Sequence, residues 1–118
     1  MKVSVIADKS KAFAFRIIKL YRYLCAEKQE YVLSKQLLRS GTSIGANINE
    51  ANYGQSPADF ISKMQIALKE ASETGYWLEL LYKTNYIGEE QYNFLESQCR
   101  SLRAMLVSSI NTAKNNLK

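Results

Sequence analysis

The sequence contains no histidine, one proline, five glycines and two cysteines among its 118 residues. Without histidine, serine and cysteine triads, general acid–base catalysis by imidazole and most zinc sites are excluded. Cys25 and Cys99 are too far apart for a CxxC pair and too few for a disulfide framework, so we expect two small buried hydrophobic side chains. These absences indicate a non-enzymatic protein with no catalytic residues, no cofactor and no metal.

Long apolar runs are also missing. No segment comes near the ~18 consecutive apolar residues of a membrane-spanning helix, and the basic first thirty residues lack the apolar core of a signal peptide. A chain of 118 residues that is 47% hydrophobic has the size and composition of one domain with its own core. We therefore expect a single cytoplasmic domain, residues 1–118, that does not contact a membrane.

The scarcity of proline and glycine predicts long helices, because an all-β domain needs turn residues every ~8 to 12 positions. Ser56, Pro57 and Asp59 mark one helix start: an N-cap serine, a proline in the first turn and a carboxylate near the positive helix end. Residues at alternating spacings of four and three then form the seam of a packed helix. They are Phe60, Met64, Ala67, Ala71, Thr74, Leu78 and Leu81.

The same periodicity predicts four helices, at about residues 10–27, 31–51, 57–83 and 89–116. The predicted inward positions are Phe13, Ile17, Leu20 and Leu24 in the first helix, and Leu33, Leu37, Gly41, Ile44 and Ile48 in the second. In the last helix they are Tyr92, Leu95, Cys99, Leu102, Leu106, Ser109 and Ala113. Since short loops force neighbouring helices to run antiparallel, the predicted fold class is all-α, an antiparallel up-down-up-down four-helix bundle.

Gly41 and Gly45 lie four residues apart on one face of the second helix, where the absence of side chains lets another helix approach closely. A phosphate-binding glycine loop is the rival interpretation, but neither a following Gly-Lys-Ser/Thr nor a preceding strand is present. We therefore predict close helix packing, either inside the subunit or across an oligomer contact.

Charge is distributed unevenly: residues 1–24 have a net charge of +5, residues 50–99 of −5 and residues 100–118 of +4. On the first helix the basic positions lie opposite the apolar ones, and no acid occurs between Lys9 and Ala26. Such a face is typical of a solvated surface, of contacts to nucleic-acid phosphates, or of a subunit contact with the acidic third helix. The candidate nucleic-acid-binding residues are Lys9, Lys11, Arg16, Lys19, Arg22, Arg100 and Arg103.

Aromatic residues add no support for a stacking platform that binds single strands. Tyr21, Tyr76, Trp77, Tyr82 and Tyr92 recur at the spacing of core or subunit-contact positions.

Glu70 and Glu73 lie three residues apart, the spacing of a Glu-x-x-His metal motif, but no histidine completes it. We expect them instead to pair with Lys63, Lys69 or Arg39. Such pairs orient helices more than they stabilise them, because desolvation offsets most of the Coulomb attraction.

Two stretches together resemble the four-helix-bundle family of 23S rRNA intervening-sequence proteins, also called S23 ribosomal proteins. They are residues 36–51, with the pattern RSxxSIxxNIxE, and residues 59–78, with the pattern FxxxxxIALxEAxET. The family-motif residues, expected to be structural, are Arg39, Ser40, Ser43, Ile44, Asn47, Glu50, Glu70 and Glu73.

The resemblance implies a closed up-and-down bundle that assembles into a homopentameric ring, with no catalytic residues to carry over. It also implies ribosomal or other RNA, or a nucleic-acid-processing protein, as a partner. Two hypotheses stay open at this point: an oligomeric RNA-binding accessory factor that uses the basic helix face, or a homo-oligomeric protein-interaction scaffold with no nucleic-acid role.

Overall fold

The computed structural model describes residues 3–117, and within them four helices pack against one another with no strand. They are α1 (Ser4–Lys28), α2 (Leu33–Asn52), α3 (Pro57–Lys83) and α4 (Glu89–Asn115). The predicted all-α fold class is confirmed. Lys2, one of the basic residues of the first segment, lies outside the described residues. None of the four helices is long and apolar enough to cross a membrane.

α3 follows its sequence signals closely. The Ser56 side chain accepts a hydrogen bond from the Asp59 N–H at 3.1 Å, and Pro57 is the first helical residue. Every predicted seam residue of α3 is buried. In α4 the predicted inward Tyr92 and Ser109 are only partly buried, and Ile110 next to Ser109 is in the core. The predicted inward Leu33 of α2 is partly buried as well.

The predicted start of α1 near Ser10 is wrong, because the helix begins at Ser4. The Val3 N–H donates to the Asn52 side-chain oxygen at 2.8 Å, and the Asn52 amide donates back to the Val3 carbonyl at 3.4 Å. This cap comes from the end of α2, 49 positions along the chain. Ile6 in the additional turn is buried in the core.

α2 begins at Leu33 rather than Tyr31, and a carboxylate caps it. Glu30, which is 7% exposed, accepts hydrogen bonds from the backbone N–H groups of Val32, Leu33 and Ser34 at 3.2, 3.1 and 2.7 Å. Burial opposes ionisation of this carboxyl, but the three N–H groups outweigh it and lower the pKa of Glu30 below its ordinary value.

Each helix packs mainly on its neighbours in the chain: α1 on α2, α2 on α3, and α3 on α4, while α1 contacts α4 only lightly. The start of α1 contacts the end of α2 through Val3 and Asn52. Near the other end of the same pair, the Cys25 sulfur lies 4.0 Å from the Ser34 hydroxyl.

α1 and α2 approach each other closely at the two glycines. A Cβ atom added at Gly41 would lie 2.9 Å from Cγ2 of Ile17, and one added at Gly45 would lie 3.2 Å from the Ser10 hydroxyl oxygen. The predicted close packing at these glycines is therefore confirmed, and its partner is α1 of the same subunit.

Candidate nucleic-acid interface

Five of the candidate binding residues lie on α1, and all five are exposed: Lys9, Lys11, Arg16, Lys19 and Arg22. They do not share one surface. Lys11 borders α2, where it lies beside Gly45 and Ala46. Three of the five, Lys9, Arg16 and Lys19, border α4.

A groove runs between α1 and α4, where the two helices pack lightly. It consists of two cavities of about 270 and 430 Å³ that share Arg16 as a lining residue. We call it the basic groove, because no carboxylate lines it among the described residues. Its polar and aromatic lining is Lys9, Phe13, Arg16, Lys19 and Tyr23 from α1, and Gln91, Phe94, Gln98 and Ser101 from α4.

Arg16 spans the basic groove. Its guanidinium carbon lies 5.4 Å from the centroid of the Phe94 ring, and its Nη1 donates to the Gln98 side-chain oxygen at 3.5 Å. The cation–π contact holds a positive charge against an aromatic ring whose residue remains 52% exposed. Tyr23, 43% exposed, lines the groove further along α1.

Arg100 and Arg103 lie away from the groove. Arg103 contacts α3 beside Gly75, donates from Nη2 to Glu96 at 3.1 Å and from Nη1 to the Cys99 sulfur at 3.3 Å. Its side chain is only 26% exposed. Arg100 is exposed, with its Nε 3.7 Å from the same Glu96 carboxylate. The seven candidates therefore do not form one surface, and Arg103 is engaged within the bundle.

Cys99 is buried, as the sequence predicts, and its thiol donates to the Ala71 carbonyl at 3.1 Å. Burial raises the pKa of this thiol to about 11, so it stays protonated at neutral pH. Cys25 is partly buried.

The RSxxSIxxNIxE residues lie on α2, and none of them lines the basic groove. Arg39 donates to Glu70 at 2.9 Å and also contacts Glu73, which in turn accepts from the Trp77 indole N–H at 3.0 Å. The expected pairing of Arg39 with these two acids is confirmed. Lys63 pairs with Glu50 instead, with Nζ 3.8 Å from Oε1.

Below the ion pairs, the Thr74 hydroxyl lies 3.0 Å from the Ser40 hydroxyl and 2.8 Å from the Glu70 carbonyl oxygen. Ser40 and Thr74 are fully buried, as is Ile44. Ser43 and Asn47 donate to carbonyls one turn earlier in α2, those of Arg39 at 2.6 Å and of Ser43 at 2.8 Å. These residues hold α2 against α3 or stabilise α2 itself.

The family model for the 23S rRNA-intervening sequence protein matches residues 2–108 of this chain. The chain belongs to that family. A solved structure from Bacteroides thetaiotaomicron, described as a protein of unknown function from the S23 ribosomal protein family, is 56% identical to it. The match covers 91% of this chain and 96% of that one, with a TM-score of 0.90. No curated protein matches this chain.

In this member of the 23S rRNA-intervening sequence protein family, the motif residues contribute contacts within the bundle. Sequence reasoning missed the two exposed aromatic residues of the basic groove, Tyr23 and Phe94, and its polar residues on α4. Tyr23 follows Lys19 by one helical turn, which places both on the same side of α1. Phe94 lies next to the buried Leu95 in α4. Its position beside α1 depends on how α4 packs on α1, and no pattern in the neighbouring sequence predicts that packing.

Proposed function

We propose that this protein is a non-enzymatic, homo-oligomeric accessory factor that binds RNA or another nucleic acid through the basic face of α1. The observation that carries the proposal is the basic groove, where Lys9, Arg16 and Lys19 are exposed and no described carboxylate is among the lining residues. Lys11 and Arg22 are also exposed on α1 but do not line the groove.

Phosphate contacts provide affinity with little dependence on base sequence. Each lysine or arginine that neutralises a phosphate releases condensed counterions, so affinity falls as salt rises. Arg16 is the best placed of these groups, because Phe94 and Gln98 hold its guanidinium over the groove before any ligand arrives.

In this proposal the four helices form an antiparallel up-down-up-down bundle, and subunits assemble into a ring of about five, where several weak sites act together through avidity. The order of the ion pairs along α2 and α3 supports the bundle topology. Arg39 contacts Glu70 and Glu73 while the later Glu50 contacts the earlier Lys63, so α2 and α3 run in opposite directions.

The first experiment measures the mass of the purified protein by light scattering across a salt series, with absorbance at 260 and 280 nm recorded before nuclease treatment. We expect an oligomer that carries nucleic acid and releases it at high salt. An oligomer that carries none, and binds none when RNA is added, would contradict the proposal.

A charge reversal locates the binding surface. Arg16→Glu with Lys19→Glu should weaken RNA binding and reduce the slope of log affinity against log salt by about 1.4 to 1.8, the contribution of two phosphate contacts. The control is Lys35→Glu with Lys69→Glu, which makes the same change in net charge at exposed positions of α2 and α3. Equal losses in both variants would assign the effect to overall charge and not to the groove.

A homo-oligomeric scaffold without a nucleic-acid role is the second candidate function. Exposed apolar side chains on α1 favour it: Val5 is 62% and Phe15 61% exposed. In a ring, this helix of one subunit would meet the acidic α3 of the next. The same Arg16 and Lys19 reversal would then dissociate the oligomer whether or not RNA is present.

A further inference from the structure

Two aromatic rings stand beside the cations of the basic groove. Phe94 remains 52% exposed although Arg16 lies against its ring, and Tyr23 is 43% exposed beside Lys19. Both rings line the same cavity as Arg16 and Lys19. The groove therefore combines flat apolar surfaces with positive charge. Phosphate binding needs only the positive charge, so the exposed rings suggest a ligand that also has flat apolar groups.

Single-stranded nucleic acid matches both features. Its phosphates are attracted to lysine and arginine, and its unpaired bases have free faces that stack on aromatic side chains and on guanidinium planes. From Lys9 to Tyr23 the groove follows α1 for about 21 Å at 1.5 Å per residue. That length corresponds to about six nucleotides of a stacked strand at ~3.4 Å per nucleotide.

A duplex and a protein partner fit the groove less well. Bases inside a duplex are stacked on each other, so their faces are not available to Phe94 or Tyr23. A protein partner would have to desolvate Lys9 and Lys19, whereas protein–protein interfaces are depleted in lysine.

We infer that the basic groove binds single-stranded RNA or DNA, with bases stacked on Phe94 and Tyr23 and phosphates against Lys9, Arg16 and Lys19. The inference rests on the proposed function and names the class of nucleic acid that it takes. Stacking on the rings adds affinity that depends on unpaired bases, which a duplex does not offer.

The test uses the full-length protein and two fluorescent probes: an oligouridine of about twelve nucleotides, twice the length of the groove, and an RNA duplex with the same number of phosphates. Fluorescence anisotropy gives the affinity for each probe at about 50 and 200 mM salt. Phe94→Leu keeps an apolar side chain but removes the aromatic plane. We expect it to weaken oligouridine binding roughly 5- to 100-fold and duplex binding much less, because the duplex loses only the contact between the Phe94 ring and Arg16. The salt slope should stay the same, because all the cations remain.

Tyr31→Leu is the control. Tyr31 is another exposed aromatic residue, at 58%, lies just before α2 and does not line the groove. This variant should bind oligouridine like the original protein. Tyr23→Leu added to Phe94→Leu should weaken oligouridine binding further. Light scattering on every variant follows the oligomer.

Three results would overturn the inference: Phe94→Leu leaves oligouridine binding unchanged, weakens both probes equally, or dissociates the oligomer while Tyr31→Leu does not. If Phe94→Leu has no effect but the Arg16 and Lys19 reversal still weakens both probes, the proposed function survives without the stacking role. If the original protein binds neither probe at either salt concentration, the proposed function fails as well.

Discussion

The interface between α2 and α3 differs sharply from the one between α1 and α4. The first combines a fully buried Ser40–Thr74 hydroxyl contact with an arginine that bridges two carboxylates. The second is a light contact whose polar groups are exposed, with Arg16 as the link between the helices. Both interfaces contain arginine, but only in the first does the arginine meet carboxylates.

The difference separates structural from functional use of charge. Where opposite charges meet at a partly buried position, they specify how two helices pack. Where cations line a groove without acids, their charge remains available to a ligand. Stability effects should therefore concentrate at α2–α3 and binding effects at α1–α4, and substitutions in each interface test this division.

The largest loss of stability is expected for Arg39→Ala. The substitution leaves Glu70, whose side chain is 11% exposed, without its cationic partner. Because the Arg39 side chain itself is 49% exposed, the loss in free energy of unfolding should be about 2 kcal/mol, between the values for a surface pair and a buried pair. Urea denaturation with an unchanged m-value would measure it. Arg100→Ala is the control, since this exposed arginine next to Glu96 should contribute less than about 1 kcal/mol. Similar losses of stability in the Arg39→Ala and Arg100→Ala variants would show that the Arg39 ion pairs contribute no more than a surface ion pair.

Glu30→Ala should cost about 1–2 kcal/mol at neutral pH, because it removes the cap of three backbone N–H groups at the start of α2. The lowered pKa of Glu30 gives this contribution a pH dependence. The stabilisation by Glu30 is complete at pH values above 4.5, the ordinary pKa of a glutamate, and is lost as pH falls through the lowered pKa of the folded state.

Urea denaturation at several pH values between neutral and acid would measure that dependence. The Glu30→Ala variant should lose less stability on acidification than the original protein. Glu27→Ala, at an exposed position of α1, should leave both stability and its pH dependence within about 0.5 kcal/mol. A Glu30→Ala curve parallel to that of the original protein would show that the carboxylate does not cap α2.

Gly41→Ala should lower stability by about 1 kcal/mol, since the added methyl meets the fully buried Ile17 at 2.9 Å and the overpacking exceeds the gain in helix propensity. Gly45→Ala makes the same change on the same face against the Ser10 hydroxyl at 3.2 Å. We expect its effect on thermal or urea unfolding to stay within about 0.5 kcal/mol. Equal costs at the two glycines would show that contact with Ile17 does not decide the outcome.

The smallest effect on stability is expected in the basic groove. Arg16→Ala should change the free energy of unfolding by less than about 0.5 kcal/mol, because its contacts to Phe94 and Gln98 are exposed. The same variant should weaken RNA binding measurably. A stability loss as large as that of Arg39→Ala would show that Arg16 has a structural role. The α1–α4 interface would then use its charge as the α2–α3 interface does, to stabilise helix packing.

The helices could be predicted to the extent that their signals are local. The start of α3 was predictable because the serine, proline and aspartate that cap it lie within four positions. The start of α1 was not, since its cap is Asn52 at the far end of α2. The cap that Glu30 forms at the start of α2 was not predictable for a different reason. A glutamate that caps a helix from a buried position has no distinctive sequence pattern.

The candidate site was only partly predictable. Periodicity placed Lys9, Arg16 and Lys19 on the exposed side of α1, and all three line the basic groove. The same reasoning grouped Arg103 with them, although the packing of α4 on α3 brings Arg103 to Glu96. Phe94 was overlooked because its role depends on which helix lies beside it.

The sequence by itself determined the all-α class, the buried faces of the four helices, the family and the concentration of positive charge on the first helix. These follow from residue spacing along a helix, which needs no knowledge of distant contacts. Tertiary structure decided which cations are paired and which are free, which aromatic rings lie beside them, and where α1 and α2 begin. Those outcomes depend on contacts between residues far apart in the chain, so spacing along a single helix does not contain them.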